Sequence, residues 1–154
     1  MTTRFKLVAA AMLATLAMPA MAETASGYRI VPLKMPFAGL EEKLKSAIAK
    51  NKMNPVTRAS ASDGAKGRGI TIRGDVVIGI FRNDFAVRML AANVEAGIEA
   101  PVRLHLVEEA DGTSSIRYVP PGEVFGKYDS EAIKALGREL DGVFAAIVAE
   151  ATGK

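Results

Sequence analysis

The chain has 154 residues, of which 20 are basic and 17 acidic, with one histidine and no cysteine. Without cysteine it cannot form disulfides, bind metals through thiolates, or use a cysteine nucleophile or a dithiol redox pair. The formal net charge at pH 7 is only +3, and two of the basic residues lie in the first 22 positions, so little supports a nucleic-acid or membrane-surface role.

The first 22 residues have the features of a secretory signal peptide. Arg4 and Lys6 precede an apolar run from Leu7 to Met18, and Ala20-Met21-Ala22 is a small-x-small cleavage signature. The apolar run is too short to span a membrane, which takes about 20 apolar residues. We therefore predict a signal peptide over 1–22, cleavage near Ala22, a single domain over 23–154, and a periplasmic or secreted protein without stable membrane insertion. The alternative is an uncleaved anchor.

Three elements are predicted between residues 28 and 59. Tyr28–Lys34 alternates well enough for a strand, and Pro32 favours an edge position. After Pro36, apolar residues recur at spacings of three and four, which predicts an amphipathic helix. These residues are Phe37, Leu40, Leu44 and Ile48. Pro55–Ala59 is predicted to be a second strand.

The segment Ala59–Gly69 is small, polar and rich in glycine. Its glycines could present backbone N–H groups to an anion, with Lys66 and Arg68 as candidate anion-binding side chains. The segment lacks the glycine-lysine-serine/threonine ending of a phosphate-binding loop. The alternative is a flexible or briefly helical connection.

Val76–Phe81 is a continuous apolar run, which is typical of a strand covered on both faces. Asn83 and Asp84 follow it, and we expect them to cap a helix running from Phe85 to about Asn93. Phe85, Met89 and Leu90 are predicted to share the buried side of that helix.

The segments 102–107 and 115–119 alternate on either side of an Asp-Gly pair, which predicts a β-hairpin. A two-residue loop would pair Leu106 with Arg117 and mix leucines with polar residues. A three-residue loop over 111–113 pairs Leu106 with Tyr118 and makes one face apolar, so we prefer it, with Gly112 in the left-handed conformation.

The single histidine, His105, then lies on the face opposite the leucines, together with Arg103 and Arg117. That face meets either solvent or a second protein surface. His105 has no serine or carboxylate partner at a recognisable motif spacing and no evident carboxylates for a metal site. The sequence favours a solvated or interface histidine, and a functional histidine is the alternative.

From Ser130 onward the chain predicts a long amphipathic helix, with Ser130 as its N-cap. Its apolar face carries Ile133, Leu136, Leu140, Val143, Phe144 and Ile147. The whole pattern predicts an α+β fold: one compact domain with a small, mainly antiparallel sheet backed by helices, in the approximate order β-α-β-β-α-β-β-α.

Several strings, in this order, resemble the family named domain of unknown function 302: LEEKLKSAIAKN, GAKGRGI, VVIGIFRND, EAPVRLHLVEE and SSIRYVPP. The resemblance implies a compact α+β domain without an assigned activity, and dimers. Three local features depart from the family pattern, and one of them is Ala100-Pro101 in place of the usual Leu-Pro. Arg82 and Asp84 replace the glycine and proline of a Phe-Gly-Asn-Pro-like motif, and Ser60-Ala61 stands where an Asp-His pair is often seen.

The leading hypothesis is a non-catalytic periplasmic domain that binds a small ligand or a protein partner, with a homodimer as one form. The alternative is a small hydrolase or isomerase that uses a polar cluster of Asp63, Asn83, Asp84 and His105. A third hypothesis is anion binding at GAKGRG through Lys66 and Arg68. No residue indicates haem, flavin or nicotinamide, and neither a cofactor nor a metal is predicted.

Overall fold

The structure is a computed structural model that describes residues 22–23 and 27–153. The predicted signal peptide therefore lies outside the described residues, apart from Ala22. The strands are β1 Ala22–Glu23, β2 Arg29–Leu33, β3 Asn54–Ser60, β4 Asp75–Phe81, β5 Val102–Glu108 and β6 Ser114–Tyr118. The α-helices are α1 Leu40–Lys50, α2 Ala61–Lys66, α3 Asn83–Ala92, α4 Pro121–Gly126 and α5 Glu131–Thr152, and a 3₁₀ helix spans Val94–Glu99.

The strands form one antiparallel sheet in the order β1-β2-β6-β5-β4-β3. The predicted α+β class and its order of elements are confirmed. To that order the structure adds β1, the two short helices α2 and α4, and the 3₁₀ helix. Among the described residues, no helix is both long enough and apolar enough to span a membrane.

The hydrophobic core lies on one face of the sheet, where α1, α3, α4 and α5 pack. Alternate residues of the central strands enter it, because successive side chains of a strand point to opposite faces. The strand residues of the core are Val31, Leu33, Val76, Ile78, Ile80, Leu104, Leu106, Ile116 and Tyr118. The closing helix α5 contributes Phe144, whose ring centroid is 5.4 Å from that of Tyr118.

The β5–β6 hairpin confirms the predicted faces but not the predicted register. Leu106 pairs with Ile116 rather than Tyr118, and Glu108 pairs with Ser114. The backbone N–H of Glu109 donates to the carbonyl of Thr113, so the turn is formed by residues 110–112 instead of 111–113. Gly112 has the expected positive φ of 80°. The shift moves each partner by two residues, which leaves every side chain on its predicted face.

The start of α3 also differs from the prediction. The helix begins at Asn83, so Asn83 and Asp84 lie inside its first turn, and the N-cap residue is Arg82 without a side-chain cap. The Arg82 guanidinium binds both carboxylate oxygens of Asp84, at 2.7 and 3.0 Å, which occupies the carboxylate that capping would need. Phe85 and Met89 are buried as predicted, but Leu90 is 46% exposed.

An ion-pair network joins the edge strand β3 to α1. Arg58 on β3 donates to Glu41 Oε1 at 2.7 Å and to Asp63 at 2.8 Å, and Lys45 lies 2.8 Å from the same Glu41 oxygen. The hydrogen bond from Arg58 lowers the pKa of Glu41 from 4.5 to about 2, with Lys45 acting in the same direction. The network therefore depends on an ionised Glu41.

We expect the network to stabilise the fold only while Glu41 is ionised. Because the folded-state pKa is the lower one, its contribution is complete above pH 4.5 and disappears as the pH falls towards 2. Glu41→Gln should therefore reduce the free energy of unfolding at neutral pH, and its difference from the wild type should shrink below pH 4.5. Urea denaturation across this range measures both quantities.

Glu42→Gln is the matched control, because Glu42 lies on the same helix and is 79% exposed, with Lys45 as its ion-pair partner. It should change stability by less than about 0.5 kcal/mol. Stability curves for Glu41→Gln and wild type that stay parallel down to pH 2 would contradict the assignment.

Candidate functional site

The face of the sheet opposite the core carries the histidine. One cross-strand row on this face runs through Ile30, Arg117, His105, Val77 and Ala59. Residues paired across strands point to the same side, so His105 lies in the middle of the sheet with Arg117 beside it. Side chains on this face are more exposed than those on the core face, and Val77 and His105 are only partly buried. The expectation that Val76–Phe81 is covered on both faces is therefore wrong for the described part of the chain.

His105 has a carboxylate partner, Asp75, at the start of β4. His105 Nε2 lies 2.8 Å from Asp75 Oδ2, and the two side chains are 37% and 36% exposed. Asp75 pairs with Val107, so it occupies the next row on the same face, diagonal to His105. This partner is not evident in the sequence, because 30 residues separate Asp75 from His105 in the chain. Only the register between β4 and β5 could have revealed it.

His105 lines a concave hollow of about 300 Å³ on the open face. The hollow combines basic, aromatic and aliphatic side chains. Its lining consists of Tyr28, Val77, Glu99, Val102, Arg103, His105, Arg117, Tyr118, Val119 and Val124. Tyr128 from beyond α4 donates its hydroxyl to Glu99 at 3.1 Å, which fixes the acidic side chain at the rim.

The two arginines of the hollow differ in their partners. Arg117 is half-buried and donates to Glu109 at 2.7 Å and to Ser115 at 3.0 Å. The pKa of Glu109 is lowered, first by the hydrogen bond from Ser115 and then by that from Arg117. Arg103 is exposed and has no hydrogen bond or ion pair with any described residue. The hollow therefore contains one guanidinium that is paired with a carboxylate, Arg117, and one that is not, Arg103.

A wider hollow of about 740 Å³ lies on the Asp75 side of the histidine. Asp75, Glu108, Glu109 and Arg73 line it, and Arg117 lines both hollows. Asp75 does not line the first hollow. The imidazole thus stands between the first hollow and its own carboxylate partner.

The other candidate residues from the sequence lie elsewhere. Arg58 is the cross-strand partner of Ile78, which faces the core, so the Arg58 side chain lies on the core side of the sheet. Asp63 accepts a hydrogen bond from Arg58 and therefore belongs to the ion-pair network on that side, opposite to His105. Val77 pairs with His105, and Asn83 lies six residues further along the chain. Six residues of extended chain span roughly 20 Å, so Asn83 lies far from His105. The structure therefore does not bring Asp63, Asn83 and Asp84 together with His105.

The glycine-rich segment forms the short helix α2, as the alternative prediction had it. Lys66 ends the helix and Arg68 follows it, and both side chains are exposed. Gly69 has a positive φ of 73°. Within residues 27–153, no three histidine, aspartate or glutamate side chains are grouped closely enough to hold a metal ion.

An exposed apolar patch on α3 and the 3₁₀ helix escaped the sequence analysis. It consists of Val87, Leu90, Val94 and Ile98, which are 59%, 46%, 75% and 84% exposed. Val87 and Leu90 lie on α3, and Val94 and Ile98 lie on the 3₁₀ helix that follows the extended Asn93. Their spacing of three, four and four residues in the sequence is the signal that could have found them. In the sequence it was assigned to Phe85, Met89 and Leu90 instead.

Comparison with known proteins gives a family and a fold. The model of the family described as Domain of unknown function DUF302 matches residues 29–147. A crystal structure described as an uncharacterized conserved protein DUF302 from Bacillus stearothermophilus superposes with a TM-score of 0.73 at 19% sequence identity, covering 82% of this chain and 99% of that one. At this identity the likeness concerns the fold alone. No curated protein matches the chain.

The geometry predicts which tautomer His105 adopts when it is neutral. Asp75 accepts a hydrogen bond, so the proton should reside on Nε2 and leave Nδ1 with a lone pair. Nitrogen-15 NMR at a pH of about 8.5, where an ordinary imidazole is neutral, distinguishes the two tautomers. Asp75→Asn should reduce the Nε2–H population, and Glu99→Gln, which changes another carboxylate of the hollow, should leave it unchanged. A dominant Nδ1–H signal in the wild type would refute the pairing.

Proposed function

The chain belongs to the DUF302 family, and from the two arginines and the histidine in its sheet hollow we propose that it is a binding domain for small anionic ligands. The observation that carries the proposal is the unpaired guanidinium of Arg103 at the edge of a concave, partly apolar surface. An arginine that faces solvent beside a pocket offers a planar set of donors matched to a carboxylate or phosphate.

The composition of the hollow indicates the kind of anion. Val77, Val102, Val119 and Val124 provide apolar walls, so the ligand should carry a small hydrocarbon body as well as its charge. A volume of about 300 Å³ is at the lower end of the range for small-molecule sites. These features favour a short-chain or single-ring carboxylate over a nucleotide or a peptide.

Binding of this kind needs no covalent chemistry. The alternative of a hydrolase or isomerase built on Asp63, Asn83, Asp84 and His105 requires those four side chains to share a cleft, and their positions in the fold give it no support. Anion binding at GAKGRG would rest on two exposed cations, Lys66 and Arg68, beside a six-residue helix. The sheet hollow has the more specific geometry.

We also propose that the domain acts in the periplasm or outside the cell. The proposal rests on the sequence of residues 1–22, with its basic start, short apolar run and small-x-small end. The domain has no cysteine, and its hydrophobic core forms without disulfides, so its stability does not depend on an oxidising or a reducing compartment.

Binding should depend on Arg103. We expect Arg103→Ala to weaken the binding of short carboxylates by tenfold or more, because a hydrogen bond to a charged group contributes about 1.5–3 kcal/mol. The probes are butanoate, benzoate and 2-oxobutanoate, titrated into nitrogen-15-labelled protein and followed by amide shift changes. Shifts should appear at β5 and β6.

Arg68→Ala is the matched control, since it removes an exposed arginine outside the hollow, and it should leave the affinities unchanged. Shift changes confined to residues 61–69 would transfer the site to the glycine-rich segment. No shift changes with any of the three probes would overturn the proposal.

A homodimer through the exposed apolar patch is a second proposal. Four exposed aliphatic side chains on two consecutive helices are the kind of surface that a partner normally covers. Arg88, next to Val87, is already paired with Glu139 at 2.6 Å, so the contact between two copies would be apolar rather than ionic. A twofold axis through the patch would bring the apolar side chains of the two copies together.

We expect the protein to sediment as a dimer and Ile98→Glu to sediment as a monomer, because the substitution places a charge at the most exposed residue of the apolar patch. Ile72→Glu alters an exposed isoleucine outside the patch and should leave the dimer intact. Analytical ultracentrifugation gives the mass directly. A monomeric wild type would reject the proposal.

A further inference from the structure

We infer that the His105–Asp75 pair is an acid–base dyad that moves a proton on the carbon skeleton of an oxo acid bound in the sheet hollow. The inference rests on the proposed binding function, since the ligand is held by the same hollow. It adds a reaction, a substrate class and a role for Asp75.

The Asp75 carboxylate lies on the side of the imidazole away from the hollow that contains Arg103. His105 lines the hollow that contains Arg103, whereas Asp75 lines the hollow on the other side of the imidazole. Asp75 therefore holds the ring from behind through Nε2, at 2.8 Å, without competing for the ligand. Nδ1 has no hydrogen-bond partner among the described residues, so it can act as a base.

The reactive side chains that line the hollow limit the chemistry that could take place there. The described lining of the hollow includes no serine, threonine or cysteine, the usual nucleophiles of acyl-transfer enzymes. It does include guanidinium groups next to an imidazole, because Arg117 is the cross-strand neighbour of His105. Their β-carbons are about 4.5–5.5 Å apart, as for any directly paired residues. This arrangement suits proton transfer next to a carbonyl better than attack on one.

The chemistry balances without another reactant. Arg103 binds the carboxylate of the oxo acid, and His105 removes a proton from the carbon next to the ketone. The C–H electron pair becomes the new C=C bond, and the C=O π pair moves onto oxygen as an enolate. Arg103, which already holds the adjacent carboxylate, faces that negative charge, and Asp75 stabilises the imidazolium. Return of the proton to the same carbon regenerates the substrate, and return to the oxygen gives the enol tautomer.

The test is hydrogen–deuterium exchange into 2-oxobutanoate. The protein is incubated with the acid in deuterium oxide, and loss of the C3 proton signal is followed by NMR. General acid–base catalysis contributes about 10²–10⁴-fold, so exchange should exceed that of the protein-free solution by about 100-fold or more. His105→Gln should abolish the excess while the amide-shift titration still shows binding.

Asp75 is a positioning residue, and its variants distinguish orientation from folding. Asp75→Asn should lower the exchange rate by tenfold or more with the melting temperature and the affinity for 2-oxobutanoate unchanged. Asp75→Glu should restore part of the rate, because it returns a carboxylate. The Lys66→Ala, Arg68→Ala double variant is the control and should exchange at the wild-type rate.

The outcomes separate the inference from the proposed function. Binding without accelerated exchange in the wild type overturns the dyad and leaves the binding domain standing. Exchange that survives His105→Gln also overturns the dyad. Absence of both binding and exchange overturns the inference and the binding of this oxo acid together.

Discussion

The antiparallel register between β4 and β5 determines both the core and the candidate site. Ile78 pairs with Leu104 and Val76 with Leu106, which sends these four side chains into the core. The residues between them, including His105, must then point to the open face. A slip of one residue would bury the imidazole and expose the leucines, so the packing energy of the core also fixes the position of the histidine. No further interaction is needed to place His105 on the open face.

A glycine on β4 shows how closely the open face is packed at its edge. A β-carbon on Gly79 would lie 2.2 Å from Thr57 Oγ1 and 2.9 Å from Pro101 Cγ. Only a residue without a side chain lets these two groups close over the strand, which buries Gly79 on a face that is otherwise partly exposed. The glycine inside the apolar run VVIGIF is thus explained by close approach of neighbours.

How well the sequence predicts a feature depends on how far apart in the chain the interacting residues lie. Strand alternation and helical spacing are local, and they placed His105, Arg103 and Arg117 on one face and found the closing helix with its Ser130 cap, which accepts a hydrogen bond from the Ile133 N–H. The partner of His105 is not local, because Asp75 reaches it only through pairing of two strands 30 residues apart. Asp84 does not cap α3, because its carboxylate binds the neighbouring Arg82, and Asn83 is already the first residue of the helix. Local competition of this kind leaves no mark in residue spacing.

The proposed selectivity for an anion rests on local placement rather than on overall charge. Formal charges nearly cancel over the chain, and several arginines are neutralised by carboxylates: Arg58 by Glu41, Arg88 by Glu139 and Arg117 by Glu109. Arg103 is different, because it has no such partner among the described residues, and four of the nine residues that line the hollow with it are valines. Its planar guanidinium can donate two parallel hydrogen bonds to a carboxylate, which a lysine ammonium cannot do with the same geometry. In the proposed complex, Arg103 binds the carboxylate of a small acid, and the carbon chain of the acid lies against the valines and points towards the imidazole.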